Sequence, residues 1–434
     1  MNLLTNKTIR IKIQIALLFT TSAFFIFGCS SASMYVRDAV PVDKEKIVIS
    51  ADVKSGNNLF SYGGSGLEKL INDPGFKSFP SPVVNLYRYK DIVAAVTDSD
   101  GIFIPGTAER KTLQIPINAQ GLPDHRIRDL YFKTEPEGFK IFITYFTPGG
   151  VGVTECNINK DFQVACKTYN TFNSELKSNF VHQIVSDIKG NIWFRYSDSA
   201  MAGVSRLNPD GKWYHFDRRN SNIGDSSVML IRAESENEGL KGDNVWFVTA
   251  GGLSKLQYGE AKEEWFFYGD KQTVANKFIN AIGLQHWFTD AIVDIRDLAV
   301  LPDSLIIANK DALFHFTENN IERFVPDVTG GTDALRITEI QCRNNNIFVK
   351  IRPHREPVPS IRYFMLFQRD LRKWQKIDYW QFEKEYAKEI LLLPYNENED
   401  ILIINYPSKK SRIAFFSYKD LSLRTVIIGD EINK

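Results

Sequence analysis

Four stretches of the chain, 121–130, 175–184, 222–231 and 331–340, share one arrangement of polar and apolar positions. Each opens with a polar turn and reaches a β-branched residue: Ile127, Val181, Val228 or Ile337. Two free positions follow, then an aliphatic: Leu130, Ile184, Ile231 or Ile340. A second signal comes further along, Gly190-Asn191-Ile192-Trp193-Phe194 in one copy and Asp243-Asn244-Val245-Trp246-Phe247 in the next. A third pairs Gly203-Val204-Ser205-Arg206-Leu207 with Gly252-Leu253-Ser254-Lys255-Leu256. A fourth pairs Trp213-Tyr214-His215-Phe216 with Trp265-Phe266-Phe267-Tyr268. Short apolar runs bounded by Gly, Asn and Asp read as strands, so each copy predicts four short strands joined by turns.

Weaker copies extend the series, and the first-strand anchors fall at Val83, Ile127, Val181, Val228, Ile295, Ile337 and Ile390. Such self-similarity at a step of several tens of residues, with four strands per unit, predicts an all-β, seven-bladed β-propeller of four-stranded antiparallel blades. Blades sandwiched by neighbours bury both faces. That explains runs such as 92–96 and 401–404, which are apolar without alternation. The best helical pattern, 271–287, reads as a small helical insertion. The expected organisation is a signal segment over 1–28, a lead over 29–78 and the propeller over 79–434. Within the lead, 46–50 reads as a possible closing strand, 63–66 as a flexible glycine-rich stretch and 66–72 as a short helix.

Residues 1–28 carry Lys7, Arg10 and Lys12 with no acid, then an apolar run from Ile13 to Phe27, then Gly28-Cys29-Ser30. The run suits a signal peptide and is short for a bilayer span. With its cysteine behind a small residue, it resembles the bacterial lipoprotein signal. That resemblance implies lipidation of Cys29 and, with Ser30 next, an outer-membrane address facing the periplasm. A plain N-terminal membrane anchor is the other reading of the segment. A multiply acylated cysteine anchors stably.

The Gly-Leu-Pro-Asp-x-x-Ile turn at 121–127, the Gly-Asn-Ile-Trp-Phe strand and the Gly-Val-Ser-Arg-Leu strand resemble the two-component regulator propeller repeat. Streptogramin B lyases share a similar blade pattern. The resemblance implies the fold more firmly than a function, because propellers host many activities. The lyase family uses His and Glu with magnesium, but no Glu-x-His pair stands on a first strand here, and no ligand cluster with metal spacing is visible. Neither catalytic residues nor a cofactor or metal are therefore assigned. A metal-dependent lyase or hydrolase working through His182 and His125 remains the competing reading to a non-catalytic binding role.

Composition adds limits. The 434 residues are 43% hydrophobic and 24% charged, an ordinary globular balance. The net charge of +1 gives no case for nucleic acid. Losing 1–28 would leave the remainder slightly acidic, so the lipid and not charge would tether it. Cys156 and Cys166 flank a turn centred on Asp161, which places them opposite each other and able to bond in an oxidising compartment. Cys342 reads as a small buried residue. The turns leading into first strands carry the candidate binding surface: Asp124, His125, Asn179, His182 and Asp225. For Asp124, Ser178 and Asp225 the competing reading is closure of their own turns. The basic pairs Arg218-Arg219 and Lys409-Lys410 read as solvated loops. No transmembrane or kinase segment follows the last unit, so any signal is expected to pass through an envelope protein partner or a small ligand.

Overall fold

The computed structural model describes most of residues 35–426. It leaves out 1–34, 427–434 and several connecting segments, the longest being 270–294. The thirty-two strands form eight four-stranded antiparallel sheets, each built from consecutive strands. The seven predicted units are all present. Their inner strands are β5 (Val83–Tyr89), β9 (Ile127–Glu135), β13 (Val181–Ser186), β17 (Val228–Ala233), β21 (Ile295–Leu301), β25 (Leu335–Arg343) and β29 (Glu389–Pro394).

An eighth sheet precedes them, made of β1 (Tyr35–Asp43), β2 (Lys46–Val53), β3 (Gly56–Gly63) and β4 (Gly66–Lys69). Among the described residues, this sheet stands in the ring beside the seven blades that the repeats announce. The expected closing strand at 46–50 is β2, paired on both sides within this extra sheet. The expected helix at 66–72 is not formed over its first part. Residues 66–69 are β4, and Gly63 and Gly66 face each other across a tight hairpin. The reason is chemical: 35–69 lacks the Trp strand and the polar-turn signature, so pairing alone identifies it. The helical insertion at 271–287 lies outside the described residues, and no α-helix occurs among the described ones.

Closure is by packing. Val48 and Leu59 of the first sheet share a core with Val83, Leu86 and Phe103 of the second. Corresponding shared cores join each following pair, ending with Phe348 and Leu366 against Ile390 and Leu402. The last seam sets β1 beside β29 and β30 (Glu399–Asn405). Trp193, fully buried, meets Phe247 of the next blade edge-on at 5.3 Å. Burying an aromatic or aliphatic side chain of this size is worth about 1.5–3 kcal/mol, so these seams dominate the stability of the ring.

The spacing of the repeat has a structural cause. A strand places alternate residues on one face, so anchors three apart should oppose each other. In β5, β9, β13, β17, β21 and β25 a register shift inserts one extra residue beside the anchor. Such a bulge returns the third residue to the anchor's face. Val181 and Ile184, for instance, are both buried. The glycine at the start of several third strands has its own cause. Gly203 has φ +118°, and a Cβ there would lie 2.4 Å from the Phe216 carbonyl oxygen on the paired strand, a contact only glycine avoids.

Candidate ligand site at the inner-strand mouth

In these six inner strands the bulged residues are Val84, Arg128, His182, Met229, Arg296 and Thr338, at equivalent places; β1 has a similar shift at Arg37, and β29 has none. Each of the six is at least partly exposed. Antiparallel pairing sets the start of an inner strand beside the end of the second strand, so these residues share one face of the ring with the ends of second strands. Bulges commonly re-aim a side chain, and here they form a circle of unlike groups: two cations, a histidine, a thioether, a hydroxyl and an aliphatic.

Two arginines and a histidine on this face converge. His182 lies between two guanidinium groups, its Nε2 against Arg128 Nη2 and its Nδ1 against Arg195 Nη2. Arg195 comes from β14 (Ile192–Tyr196), where it faces Gln183 across the sheet. Burial, then the Arg195 and Arg128 charges, push the His182 ring down to about 4. The imidazole is therefore neutral near pH 7. Burial, then the neighbouring Arg128, lowers Arg195 to about 10, with Asp129 opposing. Arg195 is 9% exposed; its Nη1 donates to the Val228 carbonyl at 3.3 Å, while its Nε has no partner. The Arg128 guanidinium sits 5.0 Å from the centre of the Phe146 ring, itself 65% exposed.

Asp129, next to Arg128, does not neutralise this pair directly. Its two oxygens accept from the Leu130 and Ile184 backbone N–H at 2.9 and 3.1 Å, tying one inner strand to the next. The same device recurs around the ring. The Gln183 side chain bonds both backbone groups of Ile231, and Gln341 donates to the Leu392 carbonyl.

The turn residues expected at the surface behave differently. Asp124 accepts from Arg126 N at 2.8 Å, Ser178 from Phe180 N at 3.1 Å and Asp225 from Ser227 N at 2.6 Å. Each thus closes its own turn two residues on. The Arg126 side chain also holds the Asp124 carboxyl down at about 2. Asn179 accepts from Thr171 N at 2.8 Å. His125 lies 3.7 Å from Asp124 and is half exposed, whereas His182 belongs to the arginine cluster. The two histidines share no hydrogen bond among the described residues.

Cys156 and Cys166 face each other between β11 (Val153–Asn159) and β12 (Val164–Tyr169) and form a disulfide. Cys342 is free, its thiol pushed up to about 12 by burial. Arg219 pairs with Asp217 at 2.6 Å. Cys29, His286, His354, Lys409 and Lys410 lie outside the described residues.

Arg128 and Arg195 were absent from the sequence-based candidates. Arg128 had a readable signal, since the column after each anchor is the bulge and varies from blade to blade. Arg195 had none, because it meets Arg128 only through the adjacency of two blades.

No known family pattern and no curated protein matches the chain. Solved structures do resemble it. The computationally designed protein Ika8 is 8% identical, covers 88% of this chain and 97% of its own, and gives a TM-score of 0.52. Sqt1 of Saccharomyces cerevisiae is 11% identical, covers 92% and 99%, and gives 0.51. The extracellular domain of a putative hybrid two component system from B. thetaiotaomicron is 14% identical and covers 87% of this chain at 0.44. The chain spans 54% of that structure. At such identities the likeness concerns the fold and not the chemistry.

Proposed function

We propose that this protein is a lipoprotein of the bacterial envelope, anchored through Cys29 and facing the periplasm from the outer membrane. Its propeller binds a protein partner or an envelope ligand and does not catalyse a reaction. One observation carries the reading. The blade interiors repeat one apolar plan, while the bulge positions on one face change in character from blade to blade, from arginine and histidine to methionine, threonine and valine. Loops and rims on a rigid scaffold are where recognition usually resides. The Cys156–Cys166 disulfide suits an oxidising compartment. The lyase reading asks His182 to hold a divalent cation, but guanidinium groups against both ring nitrogens repel one and occupy its lone pair.

A photo-crosslinking residue placed at Met229, 45% exposed on the bulged face, should trap the bound molecule in intact cells. One at Leu371, 67% exposed on the turn between third and fourth strands at the other face, should not. Trapping only at Leu371 would overturn the reading. In parallel, palmitate labelling should be lost in Cys29→Ala, and labelling that persists would remove the anchor.

A further inference from the structure

We infer that Arg128, His182 and Arg195 form the binding site for a carboxylate carried on a flat apolar body, with the anion held by the guanidinium groups at the exposed edge of the cluster and the body against Phe146. This rests on the recognition reading and names the chemistry of its ligand.

The argument starts from donors without acceptors. A neutral imidazole has one acceptor nitrogen and one N–H. Guanidinium groups face both ring nitrogens, so one of those contacts sets donor against donor. Arg195 adds its unpartnered Nε from a residue that is nine-tenths buried. Holding such donors and two like charges together without an acceptor costs free energy, which an anion at the exposed edge of the cluster would offset through its charge. Neither arginine is ion-paired within 4.0 Å to a carboxylate among the described residues, and both Asp129 oxygens accept from backbone. The cluster thus holds two cations with no carboxylate partner, on either side of a neutral ring that cannot balance their charge. An oxyanion balances that charge, and a planar carboxylate matches a guanidinium fork in a bidentate way.

Phe146 supplies the rest. It follows the second strand of the third blade and stands 65% exposed, although its face already meets the Arg128 guanidinium at 5.0 Å. An aromatic ring left open beside a cation offers a flat surface to the apolar part of the same ligand.

The test uses the full chain in detergent, titrated calorimetrically with benzoate, inorganic phosphate and benzyl alcohol. Benzoate should bind more tightly than either of the others. Arg128→Gln should weaken benzoate at least tenfold with an unchanged melting temperature, and Phe146→Ala should weaken benzoate but not phosphate. Should Arg128→Gln fail to fold, phenylglyoxal modification of Arg128 in the unaltered protein decides, since benzoate should slow it. The inference is overturned if benzoate binds no better than benzyl alcohol, if phosphate binds as tightly as benzoate, or if benzoate leaves the phenylglyoxal rate unchanged. If these fail while the Met229 crosslinker still traps a molecule, the carboxylate site falls and the recognition reading stands.

Discussion

Asp129 and Asp297 occupy the same place in two blades, two residues after the anchor of an inner strand. Each accepts from the backbone N–H of its own neighbour, Leu130 or Leu298, and from that of the next blade, Ile184 or Ile340. Burial raises both carboxyls. The difference lies in the cations. Arg232 pairs with Asp297 at 3.0 Å and donates from Nε to the Leu298 carbonyl at 3.2 Å. Beside Asp129, the arginines turn to His182 instead. One seam is balanced internally and serves the ring. The other holds its backbone equally well but leaves positive charge unmatched, and that surplus marks a site.

The largest expected effect tests the balanced seam. Asp297→Ala removes the acceptor for two backbone N–H groups and strands Arg232, which should cost about 3 kcal/mol in urea unfolding. A loss under about 1 kcal/mol would mean that apolar packing alone sets that seam.

Acidification acts on the other seam. The ring of His182 is depressed in the folded state, so the unfolded chain takes up the proton first. Stability is unaffected above about pH 6.5 and falls as pH drops towards about 4. After discounting for solvent screening at this half-buried ring, the loss should be roughly 1–2 kcal/mol, absent in His182→Gln. A pH profile identical in the two proteins would remove the arginine–histidine coupling.

The smallest effect is the most discriminating. Arg232→Gln should lose about 1 kcal/mol, since it breaks an ion pair and a hydrogen bond, whereas Arg128→Gln should change stability by less than about 0.5 kcal/mol. Equal losses in thermal unfolding would erase the distinction between a structural and a binding arginine.

The anchors were legible because blade packing demands buried aliphatics at fixed places, and Val83, Ile127, Val181, Val228, Ile295, Ile337 and Ile390 are all buried. Their three-residue spacing was visible as a pattern, but its cause, a bulge, required the register. The first blade escaped detection because 35–69 carries neither the tryptophan nor the Gly-Leu-Pro-Asp turn. Asp124, Ser178 and Asp225 recur as a column, which looks like a ring of ligands. Their oxygens are engaged by their own turns. Among the expected surface residues, only His182 joins the charged cluster.

Local chemistry written along the chain settled the repeating strand, the turns and the apolar plan of each blade, because those depend on residues close in sequence. Tertiary structure alone decided that the sheet over 35–69 stands in the ring and that Arg128 meets Arg195. Curvature accumulates over every seam, and two residues far apart in the chain become neighbours only when adjacent blades pack.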